Sequence, residues 1–157
     1  MSDPIEHQIR LALLDRLRTV RVGAGFHTDL GENVRDRRIV RDEVPEVNLP
    51  ACATFAGNEV AKDGCMGGTY GSGLEIWVQC VVGPGPEDDL DLQCSRVKAD
   101  VKRAVLTAPT VADVLSSSLD DLEWGGAEKN LDELAKVGLG VVNVLFIATF
   151  GWTPSSA

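Results

Sequence analysis

The sequence lacks an excess of basic side chains: 15 Lys plus Arg stand against 24 Asp plus Glu, for a formal net charge of −9. A protein that coats nucleic acid through its phosphates needs the opposite balance, gathered in a patch or stripe, so that class is excluded. Long hydrophobic runs are missing as well. The longest, Val141 to Phe150, is interrupted by Asn143 and Thr149 and falls well short of the roughly 20 apolar residues that a membrane-crossing helix needs. The N-terminus, MSDPIEHQIR, carries acidic residues where an export signal carries basic ones, and no apolar stretch with a small-residue cleavage site follows. That predicts a protein made and kept in the cytoplasm.

Residues that do chemistry are sparse. There are two histidines. His7 falls on the polar side of a predicted helix and His27 in a loop, neither inside a motif, so both read as solvated surface side chains. The four cysteines, Cys52, Cys65, Cys80 and Cys94, include no CxxC pair. Zinc sites usually place two ligands within a few residues so that one turn orients both; without that spacing these read as reduced thiols, with Cys52 and Cys80 in strands. No GxSxG, HExxH, Walker or GxGxxG signature occurs in the right context, and the abundant carboxylates single out no acid–base pair. No cofactor, no metal and no catalytic residue is expected.

What is present is an ordinary globular composition: 157 residues, 44% hydrophobic and 25% charged. That length predicts a single domain over 1–157. Ile5, Ile9, Leu13, Leu17 and Val20 recur at helical spacing, with Asp3 and Pro4 as a start signal and Gly23 and Gly25 as a stop. The stretch after it is polar, and in it Arg35, Arg37, Arg38 and Arg41 alternate with acids; Val34 to Arg41 reads as an edge strand whose charges block unwanted pairing. In VNLPACATF, Val47, Leu49, Ala51, Ala53 and Phe55 alternate with polar or small residues, a strand in which Pro50 sits at an edge, the start or a bulge.

AGNEVAKDGCMGGTYGSG follows, with six glycines from Gly57 to Gly73. A phosphate-cradling loop runs from a strand into a helix and a following Lys; this segment leads instead into another strand, LEIWVQCVV. It reads as a mobile strand-to-strand loop over 57–73 that contacts partners. Glu87, Asp88, Asp89 and Asp91 then crowd the start of a second helix, where the positive end of its dipole favours them. Its apolar stripe is Leu90, Cys94, Val97, Val101, Ala104 and Val105, and Pro109 ends it. Val111 to Ser118 reads as a short helical turn, Leu119 to Trp124 as an irregular strand ending at Gly125 and Gly126, and Leu131 to Val137 as ambiguous. VGLGVVNVLFIATF is apolar at both parities, which places it as a central strand covered on both faces. The tail, 153–157, is short and polar. The expected fold is α+β: an antiparallel or mixed sheet of about four strands with two amphipathic helices packed on it.

Taken in order, the helix IEHQIRLALLDRLRTV, the Arg-rich NVRDRRIVRDEVPEVNLPACATF entering a strand, a second strand, the helix PEDDLDLQCSRVKADVKRAVL, and the strand VVNVLFIATFGWTP resemble the tail terminator proteins of long-tailed bacteriophages. The resemblance covers nearly the whole chain and rests on element order. It implies a structural virion protein without catalytic activity. Such a protein assembles in the host cytoplasm as a hexameric ring on the end of the tail tube, stops tube polymerisation and offers the surface that joins the head. Its partners would be further copies of the chain, the tail tube protein, and a head-to-tail connector or neck protein, with DNA passing through without specific binding. Arg35, Arg37, Arg38 and Arg41, together with Gly64, Gly67, Gly68 and Tyr70 in the glycine-rich loop, are the candidate contact residues. Another head-to-tail joining or neck protein, or a small α+β enzyme or ligand-binding domain, are the competing readings.

Overall fold

The computed structural model describes residues 3–40, 48–62, 67–83, 89–115, 118–130 and 138–155. Three helices and five strands alternate as α1 (Ile5–Leu17), β1 (Val34–Arg35), β2 (Ala51–Lys62), β3 (Tyr70–Val82), α2 (Leu90–Leu106), α3 (Val111–Val114), β4 (Asp121–Asn130) and β5 (Gly140–Trp152). The strands form one mixed sheet in the order β1-β2-β3-β5-β4, in which only the β1 to β2 pairing is parallel. The fold class is α+β, with five strands where about four were expected.

Sequence pattern explains the layering. Along β3 and β5 the residues Leu74, Ile76, Val78, Cys80 and Val82, and Val142, Val144, Phe146, Ala148 and Phe150, share one face and are buried there with Ile9, Leu13 and Leu17 of α1 and Val97, Val101 and Val105 of α2. Alternation in the strands and three-to-four spacing in the helices therefore meet in one apolar layer. α1 is capped at Pro4 with no side-chain cap bond; the Asp3 carbonyl instead accepts from the Gln8 side chain at 2.6 Å. The helix ends at Leu17, before the glycines assigned as its stop, and a 3-10 turn over Val22–Ala24 closes on Gly25 with φ at 89°. In α2 the Asp89 side chain accepts from the Leu92 amide at 3.0 Å, which is the cap role that helix starts select for.

One buried carboxylate ties the loop after α1 to α2. Asp100, 1% exposed, accepts from the His27 amide at 2.9 Å, the Thr28 amide at 2.8 Å and the Thr28 hydroxyl at 2.7 Å. Arg16 reaches from α1 to the carbonyls of Ala104 and Thr107, both at 3.0 Å, and so serves the carbonyl end of α2 that lacks intrahelical donors. No described helix is long and apolar enough to cross a membrane.

Three expectations need correction. The glycine-rich segment 57–73 is for the most part strand. β2 and β3 continue as a long hairpin through Glu59↔Leu74, Val60↔Gly73, Ala61↔Ser72 and Lys62↔Gly71, with a bulge between Ala56 and Glu59. Gly73 sits in the ladder opposite Val60, where a Cβ would meet Lys62 Cε at 2.6 Å, and Gly57 lies in the bulge, where a Cβ would meet Glu75 Oε2 at 2.7 Å. Second, the strand assigned to Val34 to Arg41 is reduced to Val34–Arg35, because Ile39 turns over the sheet face and bonds to a side chain instead of continuing the ladder. Third, β4 does not stop at Gly125 and Gly126 but bulges there and runs on to Asn130. The 131–137 segment, the turn before α2 with Glu87 and Asp88, and Cys65 lie outside the described residues.

Candidate functional site

The face of the sheet turned away from the helices carries a row of apolar side chains. Ala51, Ala53 and Phe55 of β2, Trp77 of β3, and Val141, Leu145 and Ile147 of β5 point to it by register. At one end it is covered: Ile39 packs there with Ala51, Ala53 and Val81 as a second small core. Beyond that strap, Phe55, Trp77, Leu145 and Ile147 are half-buried, and among the described residues no helix or strand packs over them. The Phe55 and Trp77 rings stack with centroids 6.5 Å apart and planes within 15°. Open faces of antiparallel sheets normally alternate to polar residues, so an apolar open face is the mark of a surface that another body covers. β5 does lie inside the sheet, as its composition requires, while the cover over its second face is only partial among the described residues.

Charge is distributed unevenly across this face. Arg35 is half-buried in β1, opposite Ala53. Arg37 and Arg38 are exposed beside it, and the Arg38 guanidinium sits 4.6 Å from the centroid of the Phe55 ring. The segment is held from both sides. Arg10 of α1 donates to the Asp36 carbonyl at 2.8 Å. The Gln79 side chain accepts from the Ile39 amide at 2.9 Å and donates to the Ile39 carbonyl at 3.1 Å. At the opposite edge β4 presents Asp121, Glu123 and Glu128, all exposed and all on the open-face side through their partners Thr149, Ile147 and Asn143.

The hairpin tip is a separate place. Gly67 and Gly68 form its turn with φ at 62° and 83°, a conformation glycine adopts without penalty. Tyr70, 46% exposed, stacks on Trp152 at 4.9 Å, and the Trp152 indole donates to the Ser72 hydroxyl at 2.8 Å. Lys62 follows Phe55 by seven positions in β2, so the arginines and the tip are roughly 23 Å apart along the strand. The structure brings Arg35, Arg37 and Arg38 together, brings Gly67, Gly68 and Tyr70 together, and keeps the two groups apart. Arg41 and Gly64 lie outside the described residues. The apolar open face, the Gln79 strap and the acidic β4 edge were not picked out from the sequence. The signal for the face was the odd-numbered set of the last strand, and for the edge the spacing of Glu123 and Glu128 about a Gly-Gly bulge.

Among the described residues no group of three His, Cys, Asp or Glu is placed to hold a metal. Burial pushes the Cys52 thiol up to about 12, with Arg18 pulling weakly the other way. The Cys80 thiol is raised well above its ordinary range by burial, and further by Cys52 and Cys94 beside it. Protonated thiols this deep are packing groups, not nucleophiles. His7 and His27 are exposed, as their sequence positions suggested.

Among the described residues the fold is an α+β chain with one helical layer and a second, charge-graded sheet face that Ile39 covers at one end. No family model matches the chain, and no curated protein matches it. Among solved structures it is similar to a chain described as "Virion of native gene transfer agent (GTA) particle", with 19% identity over 91% of this chain and 94% of that chain and a TM-score of 0.49. A likeness at that level assigns no function to this chain.

Proposed function

We propose that the chain is a structural virion protein that forms a ring on the end of a phage tail tube, terminates tube polymerisation and provides the surface that joins the head. Its class rests on the order of elements along the chain, which resembles that of tail terminator proteins. The observation that carries the reading is the open sheet face. Phe55, Trp77, Leu145 and Ile147 are half-buried and, among the described residues, carry no second layer of helices or strands, a surface that assembly with other subunits would cover.

In a ring each subunit meets its neighbours through two different surfaces, and a closed ring satisfies all of them. Seated on the last tube ring, it would occupy the surface on which the next tube subunit docks. Each copy carries a formal charge of −9. We place the arginines at subunit contacts or outside, with a neutral or acidic lumen, so that DNA passes without being held by its phosphates. The protein's place would be the virion tail, assembled in the host cytoplasm from further copies, the tail tube protein and a connector or neck protein.

Negative-stain microscopy of the purified chain mixed with headless tail tubes tests this. A ring at one tube end, with tubes of uniform length, is the expected result. Binding to heads and not to tubes would instead make it a neck protein, and a monomer that binds neither would overturn both readings.

A further inference from the structure

One cross-strand row spans the entire sheet. Its partners run from Arg35 in β1 to Ala53, then Gln79, then Asn143, and end at Glu128 in β4. The row begins with a cation on one outer strand and finishes with a carboxylate on the other, about 19 Å away for four inter-strand spacings. On the β1 side Arg37 is exposed and Arg38 lies over Phe55 on the same face, and Asp121 and Glu123 repeat the negative sign along β4. Apolar Phe55, Trp77 and Leu145 form the next row between those edges.

We infer that copies of this chain associate head to tail through opposite edges of the sheet, the arginine edge of β1 in one copy meeting the carboxylate edge of β4 in the next. This deepens the ring reading and rests on it for closure, but the pairing itself follows from the charges. Two arginine edges repel each other, and so do two acidic edges, so a two-fold contact between like edges is disfavoured and only the heterologous contact is attractive. That contact continues the row: Glu128 of one copy would sit next to Arg35 of its neighbour. It covers the two outer strands of the sheet as described, a recurring route by which sheets add partners. It also brings the apolar open faces of adjacent copies into one continuous surface.

Sedimentation velocity on the full chain tests the pairing. At about 0.01 M salt, where the Debye length is roughly 30 Å, wild type should self-associate, and added salt should weaken it. Glu123→Arg with Glu128→Arg makes both edges basic, and Arg35→Glu with Arg38→Glu makes both acidic. Each double variant alone should lose association by at least tenfold, and an equimolar mixture of the two should regain it. Circular dichroism establishes that each is folded; if the half-buried Arg35 does not tolerate the change, the β4 variant mixed with wild type still reads the effect. Double variants that associate as wild type does would overturn the edge assignment while leaving the ring standing. Wild type that stays monomeric at millimolar concentration and low salt would overturn the edge pairing, while tube capping decides the ring separately.

Discussion

The Gln79 side chain holds both main-chain polar groups of Ile39, the amide at 2.9 Å and the carbonyl at 3.1 Å. It does the work of a strand partner from inside the sheet, and it fixes where the arginines stand. Gln79→Ala leaves those two groups without partners at a buried position, which costs about 1–3 kcal/mol. Urea unfolding should register that loss, and amide exchange at Ile39 should accelerate while Val144 and Phe146 in β5 stay protected. Unchanged exchange at Ile39 would mean that its packing on Ala51, Ala53 and Val81 suffices to hold the strap.

Asp100 is the second anchor. Its carboxylate accepts three hydrogen bonds from His27 and Thr28 while almost fully buried. Asp100→Ala strands two amides and a hydroxyl, and should lower stability by roughly 3 kcal/mol or more. Asp100→Asn keeps the shape but turns an N–H toward a donor, so it should fall between wild type and Ala. Thermal or chemical denaturation of the three proteins gives the ranking.

Much of this was legible in the sequence, and what was not has physical reasons. The stripe of Ile9, Leu13 and Leu17, the alternation of Leu74 to Val82 and the double parity of the last strand all report burial directly, and those elements stand where the pattern puts them. The hairpin was hidden because glycine ordinarily weakens strands. Here Gly73 pairs with Val60 within the ladder, and Gly57 falls in the bulge that interrupts it. Gln79 and Asp100 were invisible because a buried polar residue is understood only once its distant partner is known, 40 and about 70 residues away in these two cases. The charged row from Arg35 to Glu128 requires strand order, which a sequence of alternating residues does not contain.

Two glycines should respond differently to the same change. A Cβ at Gly31 would lie 2.6 Å from the Arg18 carbonyl oxygen and 2.7 Å from that of Val20, both backbone atoms that cannot swing aside. Gly31→Ala should destabilise by more than about 2 kcal/mol. Gly67 has open space around it but a φ of 62°, so Gly67→Ala should cost only the left-handed penalty of roughly 1 kcal/mol. Equal losses in the two variants, measured by denaturant midpoint, would contradict the packing described around Gly31.

The buried thiols give a pH signature. Cys52 is held protonated up to about 12 in the folded chain, against an ordinary value of 9.0. Between those values the unfolded chain ionises first and binds fewer protons, so stability is full below about pH 9 and falls as pH rises toward 12. The slope from this thiol approaches about 1.4 kcal/mol per pH unit. Cys52→Ala or Cys52→Ser should flatten it. Consistent with this, iodoacetamide at pH 8 should leave Cys52 and Cys80 unmodified until denaturant is added.

The central claim, that this chain caps a tail tube, is tested most directly by polymerising purified tail tube protein with and without it and measuring tube lengths by electron microscopy. The account predicts that elongation stops when the chain is added and that arrested tubes carry a ring at one end. Tubes that lengthen at the same rate and to the same distribution in its presence would contradict it.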